Sequence, residues 1–285
     1  MDVAVVTCSE YPQLNHPYEQ PLLGALRALG LDAQPVVWNG PDVDWSAPRA
    51  AIIRAAWDSH LHREAFLAWA DHVSRICPLH NPVEVLSWNL HKSYLRTLQD
   101  RGVAVTPTVW LDRGQPVDVA RRVREQGWDA WVVKPCVSAG AAETHVFRAG
   151  ELHRAQAEVT RLAATHELML QPYLRAFESE GERSYIFIDG DLSHAVRRPP
   201  TLKTAPRGFA DPVPFAPSKG DELRQVEAVM DAVGRQLLYA RVDMATDNEG
   251  KPRLQEVELV EPSLFLSLVD EAPMRLANAI ARRLR

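Results

Sequence analysis

Two strand-like segments in the last third of the chain, Tyr239-Ala-Arg-Val-Asp243 and Leu254-Gln-Glu-Val-Glu258, decide the fold class of this sequence. Each segment alternates charged and apolar residues, as a strand does when one of its faces is polar. The residues between them include Asp247-Asn-Glu-Gly250, which is typical of a turn. The two segments are therefore predicted to pair as an antiparallel hairpin.

The alternation also predicts which side chains of the hairpin meet. Residues two apart share one face of a strand, so Arg241 goes with Asp243 and Glu256 goes with Glu258. If the hairpin is symmetric about Glu249 and Gly250, Asp243 lies opposite Glu256 and Arg241 lies opposite Glu258. All four side chains are then on the same face of the sheet.

Carboxylates that face one another across a sheet repel each other unless positive charge lies between them. A divalent cation would supply that charge, and oxygen ligands without His or Cys favour Mg²⁺ or Mn²⁺. Magnesium commonly shares its ligands with substrate phosphates, so the pattern favours nucleotide-dependent phosphoryl transfer. The alternative is a solvated strand face of mixed charge, although apolar residues on the other face argue against it.

Cationic residues elsewhere in the chain fit the same chemistry. Lys134 ends an apolar strand-like run, and Lys92 lies in a predicted helix. A second hairpin is predicted with its turn at Asp189-Gly190. It is flanked by three arginines, Arg183, Arg197 and Arg198. Phosphoryl transfer depends on such charges because its catalysis is mainly positioning and electrostatic stabilisation.

The remaining sequence predicts an α/β protein of several lobes. The first 78 residues alternate short apolar runs with helical patterns, which predicts a small parallel sheet. The loop after the first run, Cys8 to Pro12, contains no glycine, so a nicotinamide-binding site is disfavoured. We expect an N-terminal domain over residues 1–78 and a second domain over 79–285. The second domain is divided into a central lobe, 79–170, and a C-terminal lobe, 171–285.

Composition narrows the class of protein further. The chain has 285 residues and a net charge of -5, with basic and acidic residues interspersed, so nucleic acid is not an expected partner. Its three cysteines are far apart, which is typical of a reducing compartment. No apolar run is long enough to span a membrane, and no signal segment opens the chain. We expect a cytoplasmic protein, with a homodimer as the default assembly.

Seven motifs in this order resemble the ATP-grasp superfamily of ligases. They are Trp131-Val-Val-Lys-Pro135, Ser138-Ala-Gly140, Leu170-Gln-Pro-Tyr173, Gly181-Glu-Arg-Ser184, His194-Ala-Val-Arg-Arg-Pro199, Arg241-Val-Asp243 and Glu256-Val-Glu258. The stretch from 171 to 199 is similar to bacterial glutathione synthetase. Further motifs resemble the branch that contains the O-ureido-serine cyclo-ligase of cycloserine biosynthesis: Arg54-Ala-Ala-Trp-Asp58, Asn81-Pro82, Trp88-Asn89 and Glu261-Pro-Ser-Leu-Phe-Leu266.

The resemblance implies an ATP-grasp fold, in which a small parallel-sheet lobe precedes two lobes that clasp ATP. It also implies roles for individual residues. The nucleotide would be bound at its phosphates by Lys92, Lys134 and the loop with Ser138 and Gly140, and at its adenine and ribose by Gln171, Pro172, Tyr173 and Glu182. Arg183 and Arg198 would face the transferring phosphoryl group, and Arg241 would face the acyl phosphate. Magnesium would be bound by Asp243, Glu256 and Glu258. Glu258 stands where many relatives have Asn.

Residues that contact the substrate are predicted from their place in the first lobe. Arg54, Trp57 and Asp58 lie at or just beyond the end of a predicted parallel strand, where such sheets present ligands. Ser263, in the motif that follows the hairpin, is a further candidate. The sequence does not identify the substrate.

Together these features predict an ATP-dependent ligase for a small amino-acid-like substrate. A carboxylate would be activated as an acyl phosphate and coupled to an amine or similar nucleophile, in another molecule or in the same one by cyclisation. ATP and Mg²⁺ or Mn²⁺ are the expected cofactors. The alternatives are a non-catalytic nucleotide-binding module and a small-molecule kinase.

Overall fold

Three β-sheets organise the chain, and the computed structural model describes residues 1–199, 211–218 and 220–285. The first sheet is parallel, with the order β2-β1-β3-β4. It consists of β1 (Val3–Thr7), β2 (Ala33–Val37), β3 (Ala50–Ala55) and β4 (Leu79–His80). Every residue of β1 and β3 is buried, as expected for a parallel sheet whose two faces are covered by helices. The helices of this lobe are α1 (Pro21–Ala28) and α2 (Arg63–Ser74).

The predicted parallel sheet is present, but it extends beyond the expected domain boundary. We expected the first domain to end at residue 78. Strand β4 at residues 79 and 80 pairs with β3, so it belongs to the first sheet. The chain leaves this sheet only after residue 80.

The second sheet is antiparallel, with the order β5-β8-β6-β7. It consists of β5 (Val109–Leu111), β6 (Ala130–Pro135), β7 (His145–Arg148) and β8 (Leu168–Pro172), with helices α5 (Val119–Gln126) and α6 (Leu152–Ala163). Two shorter helices, α3 (Val83–Asn89) and α4 (Tyr94–Asp100), lead into it. Strand β8 runs across residue 170, where the boundary between two lobes was expected. That division therefore passes through a strand.

The third sheet is also antiparallel, with the order β11-β10-β9-β12-β13. Its strands are β9 (Glu182–Ile188), β10 (Asp191–Arg198), β11 (Val213–Phe215), β12 (Tyr239–Thr246) and β13 (Pro252–Glu258). Helices α7 (Asp221–Val233) and α8 (Ala272–Arg283) pack on it. Both predicted hairpins are confirmed. The stretch from 201 to 218 was expected to be a loop; its described part contains β11, and residues 201–210 lie outside the described residues.

The register of the β12-β13 hairpin is as predicted at its charged end. Asp243 pairs with Glu256, and Arg241 pairs with Glu258. A bulge next to Asp243 shifts the register, so that Thr246 pairs with Pro252 nearer the turn. Near the turn, the hairpin is centred on one residue, Glu249. The extra residue at the bulge moves the centre to a point between Glu249 and Gly250 for the charged pairs, which is the register predicted from the sequence.

The third sheet lies between two apolar cores, which fixes the direction of its charged residues. On one face, Ile186, Ile188 and Tyr239 pack with α1 and α8. On the other face, Tyr185 and Phe187 pack with α4 and α7. The first face continues along the strands into charged residues. Among the described residues, no helix is long and apolar enough to cross a membrane.

Candidate active site

Asp243 is at the centre of the charged face and has a complete set of hydrogen-bond donors. One carboxylate oxygen accepts from Ser184 Oγ at 2.6 Å and from Arg241 Nε at 3.0 Å. The other accepts from Arg198 Nη2 and Arg241 Nη2, both at 2.9 Å. Burial alone would raise the pKa of Asp243, but the two guanidinium groups outweigh it and hold this pKa below its usual value. Because a carboxylate accepts about four hydrogen bonds, Asp243 is saturated.

Glu256 faces Asp243 from the neighbouring strand and is bound by the two predicted lysines. Its Oε1 lies 3.3 Å from Lys134 Nζ and 3.8 Å from Lys92 Nζ. Burial favours the protonated form, but these two charges lower the pKa of Glu256. Lys92 also donates to the main-chain carbonyl of Ser138 at 2.7 Å. The two lysines therefore connect the metal-ligand candidates of the third sheet to the predicted phosphate loop.

Two further carboxyl groups on this face lack enough positive charge. Burial raises the pKa of Glu182 to about 7, although Arg198 contacts it. Burial also raises the pKa of Glu258, and repulsion from Asp243 and Glu256 adds to the rise, although Arg241 opposes it. The site is therefore suited to binding additional cations.

Arg198 and Arg241 lie in the site as predicted, but Arg183 does not. Successive residues of β9 point to opposite faces, and Ser184 is the residue that faces Asp243. Arg183 instead pairs with Glu222 of α7, with Nε to Oε1 at 2.6 Å. The expectation that Arg183 faces the transferring phosphoryl group is wrong in this structure. Ser184 was missed, although strand alternation alone could have identified it.

The geometry of the charged strands is fixed by two buried asparagines. Asn89 donates to the Val257 carbonyl at 2.8 Å and accepts from Leu259 N at 2.8 Å. Asn81 likewise donates to the carbonyls of Tyr239 and Leu259, both at 2.9 Å. These side chains bond to the main chain near the ends of β12 and β13 and tie both strands to the segment between the first two sheets.

Arg54 was predicted to contact substrate, but its guanidinium is fully committed inside the protein. It is completely buried, pairs with Glu19 at 2.7 Å and donates to the Pro262 carbonyl at 2.6 Å. Glu19 also accepts from Leu264 N at 2.7 Å and from Ser263 Oγ at 3.2 Å. Arg54 therefore does not face a substrate. It and Glu19 hold the loop 262–264, and Glu19 carried no signal in the sequence.

The loop 262–264 also contacts Arg241 of the candidate site. The Ser263 carbonyl accepts from Arg241 Nη1 at 3.2 Å, and the Leu264 carbonyl lies 2.9 Å from His194 Nε2. Phe265 has a positive φ of 50° and lies with its ring centroid 5.8 Å from the Arg241 guanidinium carbon. Ser263 is therefore next to the site through its main chain, while its side chain is bound by Glu19.

Trp57 lies at the carboxyl end of the parallel sheet, as predicted. Its ring contacts those of Tyr11 and His16, with centroids 5.0 and 4.6 Å away. Its indole N–H donates to the Glu261 carbonyl at 2.8 Å. Asp58 turns away from this cluster and accepts from Trp38 Nε1 at 2.8 Å, so its contact is internal to the first lobe.

Glu261 is a carboxyl group at the start of the motif 261–266 and was not among the predicted site residues. Ser59 Oγ donates to its Oε1 at 2.5 Å. Among the described residues, no lysine, arginine or histidine forms an ion pair with it. Burial, assisted by the charge of Glu258 and opposed by Ser59, Lys92 and Arg54, raises the pKa of Glu261 to about 8.

This raised pKa predicts a pH-dependent stability. A carboxyl whose pKa rises from 4.5 to about 8 on folding is protonated in the folded protein at pH 5. The folded state then loses stability as pH rises through that interval, because the unfolded chain releases this proton while the folded protein retains it. We expect Glu261→Gln, which cannot ionise, to become increasingly more stable than the wild type between about pH 5 and pH 8. Urea unfolding at both pH values measures this; a constant difference would contradict it.

The predicted adenine-binding segment is at the end of β8. The Gln171 side chain is buried and donates to Thr108 Oγ1 at 2.9 Å. Tyr173 N donates to the Ala130 carbonyl at 2.9 Å, and the Tyr173 carbonyl accepts from Asn248 at 3.1 Å. The main chain of Tyr173 is therefore occupied. Pro172 has no N–H to donate. In the predicted phosphate loop, Gly140 is exposed and has a positive φ of 59°.

Comparisons with known proteins match this architecture. The family model for the N-terminal domain of the D-cycloserine synthetase DcsG matches residues 3–81. The cycloserine biosynthesis protein DcsG of Streptomyces lavendulae is 30% identical over 279 residues, which cover 93% of each chain. A crystal structure of D-cycloserine synthetase DcsG is 29% identical, with a TM-score of 0.87 and 100% of both chains covered. The ATP-grasp ligase PsnB, solved with a minimal precursor, Mg and ADP, is 17% identical, with a TM-score of 0.65 over 99% of this chain and 98% of PsnB.

The protein is a ligase of the ATP-grasp fold. Its third sheet carries the carboxylates and arginines of the site, and its second sheet carries Lys134 and the loop with Ser138. Its reaction is ATP-dependent formation of a carbon–nitrogen bond. The similarity over nearly the whole chain goes further: the protein belongs to the DcsG family. A non-catalytic module and a kinase are thereby disfavoured.

Proposed function

We propose that the protein binds ATP between its second and third sheets and phosphorylates a substrate carboxylate there. The observation that carries this proposal is the facing pair Asp243 and Glu256 with cations on both sides. Lys92 and Lys134 are suited to the nucleotide phosphates, since they lie beside Glu256 and the Ser138 loop. The domain arrangement we propose is a first domain that includes β4, followed by an ATP-grasp domain.

The adenine would lie against the end of β8. Pro172 is suited to offer its carbonyl there. Leu174 follows the occupied Tyr173, and its N–H has no hydrogen-bond acceptor within the described parts of the chain. We therefore assign the donor of the adenine contact to Leu174 in place of Tyr173. Glu182 remains the ribose candidate, although its carboxylate is paired with Arg198 here.

The donor set fits a magnesium ion. Glu256 and Glu258 each use only one oxygen in contacts with described residues, so each has an oxygen left for a metal. Asp243 can join them only if Arg198 or Arg241 gives up one of its bonds. Such a release is expected when a nucleotide phosphate offers these arginines another anion. When bound, magnesium would neutralise phosphate charge and orient the γ-phosphate.

The reaction follows from these positions. The substrate carboxylate attacks the γ-phosphorus, the bond to ADP breaks, and an acyl phosphate forms. Arg198 and Arg241 are placed to stabilise the charge that develops on the transferred group. A nitrogen nucleophile then attacks the acyl carbon, and phosphate leaves with the electron pair of the broken bond. The loop 262–264 keeps Arg241 aligned throughout.

We propose an O-ureido-serine type of substrate, coupled to its own nitrogen by cyclisation. The 30% identity with the DcsG protein over 93% of both chains supports this assignment. The direct test is ADP formation with magnesium against a panel of amino acids and short carboxylic acids, followed by mass spectrometry. A cyclic product without phosphate supports the proposal; a phosphorylated product would establish a kinase instead.

Lys134→Ala should mainly weaken ATP binding. Lys134 contacts Glu256, and its loss removes one charge of the phosphate site. We expect the KM for ATP to rise about 10-fold or more, while the KM for the carboxylate changes little. Steady-state kinetics with each substrate varied in turn measure the two constants. Lys251→Ala is the control, because Lys251 is exposed and its ammonium group pairs with Glu249 at the surface; equal effects in both variants would contradict the assignment.

A further inference from the structure

Three potential metal ligands from separate segments of the chain converge beside the second sheet. His91 lies between α3 and α4, Cys136 directly follows β6, and Glu167 directly precedes β8. One ligand atom of each residue, a ring nitrogen, the sulfur and a carboxylate oxygen, lies within 4.8 Å of the other two. The closest pair is His91 Nε2 and Glu167 Oε2, at 3.1 Å. The fold therefore brings together nitrogen, sulfur and oxygen donors that are far apart in the sequence.

Hydrogen bonds hold the three residues in this arrangement. Cys136 N donates to the Glu167 carbonyl at 2.9 Å, and the Cys136 carbonyl accepts from Lys92 N at 2.9 Å. The other ring nitrogen of His91, Nδ1, lies 2.8 Å from Ser93 Oγ and 3.3 Å from Ser93 N. If Nδ1 donates to the nearer hydroxyl, Nε2 carries no proton and can bind a metal, and such a bond commonly orients a metal-bound histidine.

The cluster is open to solvent on one side. Cys136 is only 2% exposed, whereas the side chains of His91 and Glu167 are 23% and 52% exposed. A cation that enters past His91 and Glu167 would therefore meet the sulfur at the bottom of the cluster. Burial lowers the pKa of His91, so its ring is neutral at pH 7, as a metal ligand must be.

The donor types favour zinc over the other common divalent cations. Magnesium and calcium prefer oxygen ligands alone, whereas Zn²⁺ accepts histidine nitrogen, cysteine sulfur and carboxylate oxygen. In tetrahedral zinc sites, neighbouring ligand atoms lie about 3.3 to 3.6 Å apart. The 3.1 Å between His91 Nε2 and Glu167 Oε2 is close to this spacing. A zinc ion therefore requires little movement of these two side chains.

Neighbouring positive charges do not exclude a metal ion. They belong to Arg63, Lys92, Arg96 and Lys134. The two lysines already contact the carboxylate of Glu256. Zinc bound to one thiolate and one carboxylate is neutral overall, so these cations repel it little. Burial raises the pKa of Cys136 to about 12, and Lys92, Arg96 and Lys134 oppose this rise, so they favour the thiolate that zinc binds.

We propose that His91, Cys136 and Glu167 bind one Zn²⁺ ion, with water as the fourth ligand. The thiol proton passes to solvent as the zinc–sulfur bond forms. The ion cross-links the segment that carries Lys92 to the end of β6, which carries Lys134. This zinc site is separate from the magnesium ligands of the third sheet, and it does not depend on the proposed ligase reaction.

A second group of possible ligands provides a competing location for the metal. Glu143, His145 and Glu158 also bring three ligand atoms within 4.8 Å of one another. Arg161 already occupies this group, since its Nη2 lies 2.6 Å from a carboxylate oxygen of Glu143 and of Glu158. It also contains no sulfur. Zinc is therefore expected at the cluster with Cys136.

Cobalt and zinc titrations in excess Mg²⁺ test the site. Co²⁺ bound to a thiolate gives a sulfur-to-cobalt charge-transfer band in the near ultraviolet, which the carboxylates of the third sheet cannot produce. Wild-type protein should show this band and bind one Zn²⁺ per chain by calorimetry. Cys136→Ala should lose the band and bind zinc about 100-fold more weakly or worse. Glu167→Gln changes an exposed side chain, so it should fold normally, and it should weaken zinc binding about 10-fold or more.

Two control variants separate this cluster from other ligands. Cys77→Ala removes another buried thiol, which belongs to no group of three potential ligands among the described residues. His145→Ala removes the histidine of the competing group. Both variants should keep the band and the zinc affinity of the wild type. Saturating Zn²⁺ should raise the unfolding temperature of the wild type and of both controls, but not that of Cys136→Ala.

Several results would overturn the proposal. They are a wild-type protein without the charge-transfer band, a band that survives in Cys136→Ala, and zinc binding that is lost in His145→Ala. Undiminished zinc affinity in Glu167→Gln would overturn the ligand set. A wild-type unfolding temperature that Zn²⁺ does not raise would overturn the cross-link between the two lysine-bearing segments.

Discussion

Glu256→Gln should lower the rate of ADP formation by about a thousand-fold at fixed magnesium concentration. Glu256 is the metal-ligand candidate that faces Asp243 directly, and both lysines contact its Oε1. Glutamine keeps the shape of the side chain but offers one neutral oxygen. A magnesium ion would then lose an anionic ligand, and Lys92 and Lys134 would lose the carboxylate that they contact. The initial rate of ADP formation measures this, with the metal concentration varied to show whether more metal restores part of the activity.

Glu249→Gln is the matched control for that prediction. Glu249 is on the turn of the same hairpin, and its exposed carboxylate pairs with Lys251. It should leave the rate and its metal dependence unchanged. A wild-type rate in Glu256→Gln would refute the metal assignment. Asp243→Asn is a less clear test, because Asp243 also anchors Arg198 and Arg241, so its loss disturbs the arginines as well.

The register of the active-site hairpin could be predicted from sequence because it depends on local rules. Alternation of charged and apolar residues predicted the shared face of Arg241 and Asp243. Their pairing with Glu258 and Glu256 followed from a centre of symmetry between Glu249 and Gly250, and in the structure the bulge next to Asp243 produces that register. The same rule applied to β9 would have rejected Arg183 and selected Ser184. The wrong prediction for Arg183 was based on residue type, because arginine suits phosphate binding. It was not based on the strand pattern.

The long-range contacts of the site could not be predicted in this way. Glu19 lies 35 residues from Arg54 and 245 residues from Leu264, and no periodicity connects them. Arg54 was predicted to contact the substrate because it lies at the end of a predicted parallel strand, but no sequence pattern identified Glu19 as its partner. Glu261 begins the motif 261–266, but only the fold shows that no cation of the described residues forms an ion pair with it.

The same fold explains how one loop serves two lobes. Loop 262–264 is held by Arg54 and Glu19 from the first lobe and by His194 from the third sheet. It contacts Arg241 through the Ser263 carbonyl. The first lobe therefore contributes to the alignment of Arg241.

The buried pair behind this loop should have the largest effect on stability. Glu19→Ala should lower the free energy of unfolding by about 3 to 5 kcal/mol, because it leaves the Arg54 charge buried without a partner. It also frees Leu264 N and the Ser263 hydroxyl. Urea unfolding measures the loss. Asp71→Ala, which removes an exposed ion pair with Arg75, should cause little change.

A double variant separates the stability of this pair from its positioning role. Glu19→Leu combined with Arg54→Met replaces both buried charges with apolar side chains, so most of the stability lost in Glu19→Ala should return. The activity should not return with it, because neither new side chain can bind Pro262 or Leu264, and the Ser263 carbonyl then no longer aligns Arg241. A double variant with wild-type kcat would show that the pair only stabilises the fold.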